Sequence, residues 1–239
     1  MSLKIKNYSV KIEDLNRKIL NEANLEINKG EIFVLVGHNG VGKSSFAMSL
    51  IGIPVYERTG SVFIGDTDTV NLNIDEIAKT GLFVSFQSPP EIEGLTLFDF
   101  INTAYRSIYG DNGLSSFKLR KKIIDSAKAV GLDESFLARS TNQGFSGGER
   151  RKSEVLQMLV LEPEIAVLDE VDSGLDIEST GNVAKLLRNF ATENQKSLLI
   201  ISHSPEFIKK LSPDKIIELK EQKFIETTFS NIDKHNNKT

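Results

Sequence analysis

Gly37-His38-Asn39-Gly40-Val41-Gly42-Lys43-Ser44 carries glycines, a lysine and a hydroxyl at the spacing G-x-x-x-x-G-K-[ST], a composition suited to gripping a phosphate chain. Glycine accepts backbone conformations that a β-carbon forbids, so successive N–H groups of such a loop can converge on one concavity of phosphate size. Ser45 to Leu50 can form a helix whose N-terminus adds a partial positive charge. Lys43 then reaches the terminal phosphates, and the Ser44 hydroxyl is an expected ligand of Mg²⁺. Gly37, His38, Asn39, Gly40, Val41, Gly42, Lys43, Ser44 and Ser45 are therefore the expected phosphate-binding residues. A ligand-free Gly-rich turn is the plain alternative, and it leaves the complete eight-residue pattern unexplained.

Two further stretches could do chemistry with that loop. Ile165-Ala166-Val167-Leu168 is an apolar run that ends in Asp169-Glu170. With a phosphate loop upstream, Asp169 is expected to hold Mg²⁺ opposite Ser44, and Glu170 to orient and deprotonate an attacking water. Without the loop, such a pair is equally a solvated strand end. Phe145-Ser146-Gly147-Gly148-Glu149 contains an S-x-x-E capping box, and its two glycines leave the N-terminus of the following helix uncovered. Such an end can receive an anion. An ordinary capped helix would explain Ser146 and Glu149 but not two helix-disfavouring glycines in its first turn. Arg150, Arg151 and Lys152 run against the helix dipole there, a conflict that an anion or an acidic surface would offset.

These residues need a scaffold, and a chain of 239 residues with 39% hydrophobic content can bury the core of one α/β domain with an inserted subdomain. Ile32-Phe33-Val34-Leu35-Val36, Leu82 to Phe86, Ile165 to Leu168 and Ser197 to Ile201 read as buried strands, and helical spacing separates the last two. Strands alternating with helices indicate a mostly parallel sheet. Leu3 to Ile27 reads as an antiparallel hairpin turning at Glu13 to Lys18, its first strand alternating like an edge strand. Ser61 to Gly65 is expected as a further strand of the core sheet, and Ile216-Leu219 with Lys223-Ile225 as a closing hairpin. From Leu95 to Ala138 the spacing becomes helical, which predicts an inserted helical lobe whose internal loop is Tyr109 to Ser116. Residues 1–88 and 162–239 are thus expected to form the catalytic core with an N-terminal β region, and 89–161 a helical subdomain carrying Ser146-Gly147-Gly148. The polar stretch Ser230 to Thr239 is expected to fray.

The net charge of −4 supplies no general basic field for nucleic acid or anionic lipid. No apolar run approaches the roughly 20 residues that span a bilayer, and no signal-peptide core opens the chain, so a cytoplasmic protein without direct membrane insertion is expected. With no cysteine, the chain offers neither disulfides nor thiolate ligands.

In their order along the chain, the phosphate loop, Gln87, Ser146-Gly147-Gly148, Asp169-Glu170, Ser173-Gly174-Leu175-Asp176 and His203 resemble the motifs of ABC-type P-loop ATPases over nearly the whole length. The resemblance implies ATP and Mg²⁺ as ligands, and transient head-to-tail pairing of two copies. Each ATP would lie between the phosphate loop of one copy and Ser146, Gly147 and Gly148 of the other. It further implies that Gln87 senses Mg²⁺ and relays closure to a partner, that Asp176 lies at the dimer seam, and that His203 contacts the γ-phosphate and steadies Glu170. Taken alone, a His after a strand is a surface or satisfied residue more often than a catalytic one. Phe145 to Pro163, Leu168 to Ile177 and Phe86-Gln87-Ser88-Pro89-Pro90-Glu91-Ile92 are similar to the SufC branch, the ATPases of SUF iron–sulfur cluster assembly. That likeness implies scaffold partners of SufB and SufD type. Ile12 stands where many family members stack the adenine on an aromatic ring, with Tyr8 near but at a different position, so base selectivity has no residue behind it. The same motifs fit a nucleotide-binding subunit of a membrane transporter, which would differ in what fills the groove at Gln87. A clamp that binds ATP without hydrolysing it would be favoured if Glu170 or His203 were absent, and both are present.

Overall fold

The computed structural model describes residues 3–13, 15 and 17–230. In chain order the elements are β1 (Leu3–Ile12), β2 (Arg17–Ile27), β3 (Ile32–Val36), α1 (Lys43–Leu50), β4 (Tyr56–Ile64), β5 (Thr67–Asp68), α2 (Ile74–Lys79) and β6 (Leu82–Val84). They continue with β7 (Ile92–Thr96), α3 (Leu97–Tyr109), α4 (Ser116–Ala129), β8 (Ser140–Thr141) and α5 (Gly147–Leu161). The last are β9 (Ile165–Asp169), α6 (Ile177–Asn194), β10 (Ser197–Ile201), α7 (Pro205–Leu211), β11 (Lys215–Lys220) and β12 (Lys223–Thr227). These residues group into two compact units.

The first unit comprises Met1–Gln87, Pro163–Glu170 and Leu187–Thr239. Its core sheet has the order β12-β11-β3-β10-β9-β6, parallel throughout except for β12. All five residues of β3, of β9 and of β10 are buried, as central parallel strands covered on both faces require, and this is why their sequences are continuous rather than alternating apolar runs. Each Val, Leu, Ile or Phe side chain among them taken from water contributes about 1.5–3 kcal/mol. Parallel strands also bring their C-terminal ends to one edge of the sheet. There β3 runs out into the Gly-rich loop and β9 into Asp169-Glu170.

A second, antiparallel sheet has the order β2-β1-β4-β5, and it corrects two expectations. β1 lies between β2 and β4, so its alternation is that of an interior strand with one buried face. Leu3, Ile5, Tyr8 and Val10 are buried on that face, and the skip from Ile5 to Tyr8 is a register shift at Asn7, whose φ is +46°. Ser61 to Ile64 belongs to β4 of this sheet and not to the core sheet, because its partner is β1. The turn between β1 and β2 falls partly on positions 14 and 16, outside the described residues, as does the polar tail beyond Ser230.

The second unit comprises Ser88–Glu162 and Val171–Leu186. α3 and α4 both pack on α5, burying Leu97, Ile101 and Tyr105 from α3 and Leu119, Ile123 and Ala127 from α4. A short ribbon of β7 with β8 accompanies the helices. This unit also takes 171–186, a stretch that the sequence assigns to the catalytic core. Among the described residues no helix is long and apolar enough to cross a membrane.

Candidate nucleotide-binding site

The loop after β3 takes the shape that its glycines permit. Gly37, Gly40 and Gly42 have φ of +147°, +77° and +115°, values that L side chains adopt only under strain. At Gly42 a β-carbon would meet Ile19 Cγ2 at 2.6 Å, and at Gly37 the backbone oxygen of Leu219 at 2.9 Å. At Gly40 it would meet nothing within 4 Å, so the tip of the loop is open. α1 starts at Lys43 directly behind, with Gly42 as its N-cap and no side-chain cap bond. Its first N–H groups therefore remain available to an anion.

Lys43 is buried and curls over the loop, its Nζ donating to Gly37 O at 2.8 Å and His38 O at 3.1 Å. Burial pushes its pKa down, and the charges of Glu170 and then Asp169 partly offset this. His203, two residues beyond β10, also has its pKa lowered, first by burial, then by the Lys43 charge, against the pull of Glu170. The first unit thus brings Lys43, Asp169, Glu170 and His203 into one electrostatic neighbourhood. Glu170 occupies a left-handed conformation, φ +52°, and its N–H donates to Ile201 O at 2.9 Å. A non-glycine residue held there is uncommon and costs free energy. The turn ends β9 abruptly and separates the exit of Glu170 from that of Asp169, which is fully buried. Ser44 and Ser45 are half-buried at the start of α1. Gln87 is exposed, beyond the end of β6.

Ser146, Gly147 and Gly148 lie in the second unit. Ser146 is the N-cap of α5, accepting from Glu149 N–H at 3.3 Å while Glu149 Oε2 accepts from Ser146 N–H at 2.6 Å. That reciprocal bond holds the Glu149 carboxyl below its usual range. Ser146 and Gly147 are exposed, and a β-carbon on Gly147 would meet nothing within 4 Å. At Gly148 it would meet Gly174 O at 2.9 Å, so this glycine lets the helix tip rest against the Gly174 turn. Phe145 just before the tip is buried, packed edge-to-face on Phe136 with ring centroids 4.9 Å apart, and the Arg139 guanidinium lies over both rings. The uncovered helix end is thus rigidly mounted.

The structure adds contacts that sequence reasoning passed over. Ser85 Oγ accepts from Asp169 N–H at 2.8 Å, and Ser85 N–H donates to Val167 O at 2.9 Å. The signal was a hydroxyl inside the apolar run Leu82 to Phe86. Arg17 donates to Gly40 O at the tip of the phosphate loop. Asp176 accepts from Ser179 N–H at 2.7 Å, which lowers its pKa and makes it the cap of α6. Tyr8 is fully buried with its hydroxyl on Ser49 Oγ at 3.0 Å, so its ring is core and not a platform for a base.

The donor set fits Mg²⁺ accompanied by phosphate. Ser44 and Asp169 offer hard oxygen atoms, and among the described residues no group of three His, Cys, Asp or Glu side chains forms a protein cage. Mg²⁺ typically keeps waters and takes one or two carboxylates plus substrate phosphates.

Comparison with known proteins agrees with this geometry. The family described as ABC transporter matches residues 20–173. The iron–sulfur cluster assembly protein SufC of Plasmodium falciparum is 36% identical over 242 residues, covering 99% of this chain and 69% of that protein. The probable ATP-dependent transporter slr0075 of Synechocystis is 38% identical over 218 residues, covering 90% and 84%. Among solved structures, the dimeric bacterial ABC transporter cassette MJ0796 superposes with a TM-score of 0.80 at 25% identity, covering 95% of this chain and 98% of that one.

Proposed function

The chain belongs to the ABC transporter family and is a SufC-like ATPase, and on that premise we propose that it drives iron–sulfur cluster assembly on a scaffold of SufB and SufD type. Two copies close head to tail around ATP, and hydrolysis reopens them. Dimeric closure is supported by the likeness to the MJ0796 cassette, and the scaffold by the likeness to SufC.

In this reading the loop from Gly37 to Ser45 wraps the phosphates with backbone N–H groups, and Lys43 leaves the loop carbonyls to meet the β- and γ-phosphate oxygens. Ser44 and Asp169 are the groups that would hold Mg²⁺, with Gln87 beside them. The ion supplies charge neutralisation on the phosphate oxygens. Glu170 takes the proton of the attacking water, and His203, kept neutral by burial and by Lys43, hydrogen-bonds the γ-phosphate. Ser146, Gly147 and Gly148 of the second copy close the far side with a helix N-terminus. The site is therefore built for positioning and charge neutralisation, which is what phosphoryl transfer to water demands.

The observation that carries the reading is the shared neighbourhood of Lys43, Glu170 and His203 beside the Gly-rich loop. Glu170→Gln should retain ATP binding while turnover falls by roughly a hundredfold or more, the scale of a lost general base. Turnover within a few-fold of the parent would remove Glu170 from that role. The alternative partner is a membrane permease, a reading favoured by the transporter name of the Synechocystis relative. Affinity purification of the chain from its own cells, followed by identification of what accompanies it, separates the two: soluble scaffold proteins support the proposal, and an integral membrane permease overturns it.

A further inference from the structure

Helix α4 carries a charge balance opposite to that of the protein. Lys118, Arg120, Lys121, Lys122 and Lys128 stand against a single carboxylate, Asp125, in a chain whose net charge is −4. Its apolar side chains Leu119, Ile123 and Ala127 are buried, so packing inside the second unit accounts for the inward face. It does not account for the outward one. There Lys118, Lys121, Lys122, Asp125, Ser126 and Ala129 line a shallow, open cleft, and Phe117, one residue before it, is 79% exposed, the highest exposure of any large apolar side chain among the described residues.

The cations of this face differ in what they already hold. Arg120 lies over the Phe98 ring, and Lys122 pairs with Glu162 at 2.8 Å. That pair shows that a carboxylate can settle against this side of α4. Lys118 and Lys121 make no ion pair among the described residues. From Lys118 to Ala129 the cleft runs about 16 Å along the helix, some three turns. A solvated lysine face alone would be unremarked; here Phe117, four residues before Lys121 on the same helix, adds an exposed apolar ring beside the cations.

We propose that this face of α4 is a docking site for an acidic amphipathic helix of a partner protein, whose carboxylates meet Lys118 and Lys121 while one apolar side chain covers Phe117. Charge complementarity selects the partner. A protein helix fits better than a bilayer, because α4 has spent its apolar stripe on the protein core and retains a single exposed ring, whereas interfacial helices present a whole apolar face to lipid. The net charge of −4 supplies no general basic field to attract lipid or nucleic-acid phosphates. The site is independent of the nucleotide-binding residues and stands whatever ATP hydrolysis drives.

The test uses the full chain and a fluorescein-labelled synthetic helix with glutamates at i, i+3 and i+4 around one leucine, followed by fluorescence anisotropy at 150 mM NaCl. Saturable binding is expected. Lys118→Glu with Lys121→Glu should weaken it by roughly tenfold, the scale of two exposed ion pairs turned to repulsion. Phe117→Ser should weaken it several-fold, with the melting temperature and ATP hydrolysis unchanged for both variants. No saturable binding, equal binding by the charge-reversed variant, or indifference to Phe117→Ser would each overturn the proposal. So would tighter binding to phosphatidylserine vesicles or to a single-stranded DNA oligonucleotide than to the peptide.

Discussion

Gly147→Ala separates what the tip of α5 does for the fold from what it does for ATP. A β-carbon at this position meets no atom within 4 Å, and the residue lies outside the left-handed region, so alanine fits without strain. By restricting the unfolded chain, a compatible Gly→Ala change stabilises by about 0.4–1 kcal/mol. For a protein of this size that corresponds to a rise of roughly 1–4 °C in Tm. In the proposed dimer the added methyl would stand where the γ-phosphate held by the other copy comes within hydrogen-bond reach, about 3 Å, of the helix-tip N–H groups. Displacing that phosphate by about 1 Å is expected to cost on the order of a hundredfold in turnover. Gly148→Ala is the counterpart. Its β-carbon, 2.9 Å from Gly174 O, forces two backbone segments apart by a few tenths of an ångström, with an overpacking cost of about 1–3 kcal/mol. Thermal melts and steady-state ATP hydrolysis at saturating MgATP should therefore show opposite changes in Tm and the same loss of turnover. A Gly147→Ala protein that melts higher yet turns over within threefold of the parent would show that no phosphate arrives at this helix end.

Lys43→Ala removes a charged donor from the phosphates, and such bonds are worth about 1.5–3 kcal/mol, so calorimetric titration should show ATP affinity down roughly 10- to 150-fold; unchanged affinity would unseat the lysine. The lowered pKa of His203 means that below the ordinary histidine range the unfolded chain binds a proton that the native chain does not. This contribution therefore costs nothing above about pH 6.5 and destabilises the native state as pH falls through that value toward the folded pKa. His203→Gln should flatten that part of the urea-stability profile, and an unaltered slope would rule out titration of His203 as its source. Phe46 is fully buried in α1 and packs edge-to-face on Phe224 with ring centroids 4.9 Å apart. Phe46→Ala should lower stability by about 3–5 kcal/mol in denaturant melts, whereas a loss under 1 kcal/mol would mean that the core closes over the gap.

What could be read from the sequence was what is local in it. The phosphate loop is a contiguous string whose glycines dictate the backbone, and the box of Ser146 with Glu149 spans a single helical turn. The buried parallel strands were legible because burial on both faces leaves continuous apolar runs. Sheet membership was not, since the alternation of Ser61 to Ile64 tells which face is buried but not that β1 rather than β3 is the neighbour. The β7–β8 ribbon escaped because Ser140–Thr141 is too short to establish a period. Asp176 was assigned from the family to a dimer seam, while its Asp-x-x-Ser spacing to Ser179 was a helix-cap signal in plain view.

Ser85, just past the end of edge strand β6, links that strand end to the backbone of Asp169 through its hydroxyl. In the proposed site, a tug on the exposed Phe86-Gln87 segment would reach the backbone of Asp169 through this hydroxyl and the short ladder it extends. On that reading, coupling between a partner and the cation would be adjustable at position 85, without touching the residues assigned to the nucleotide.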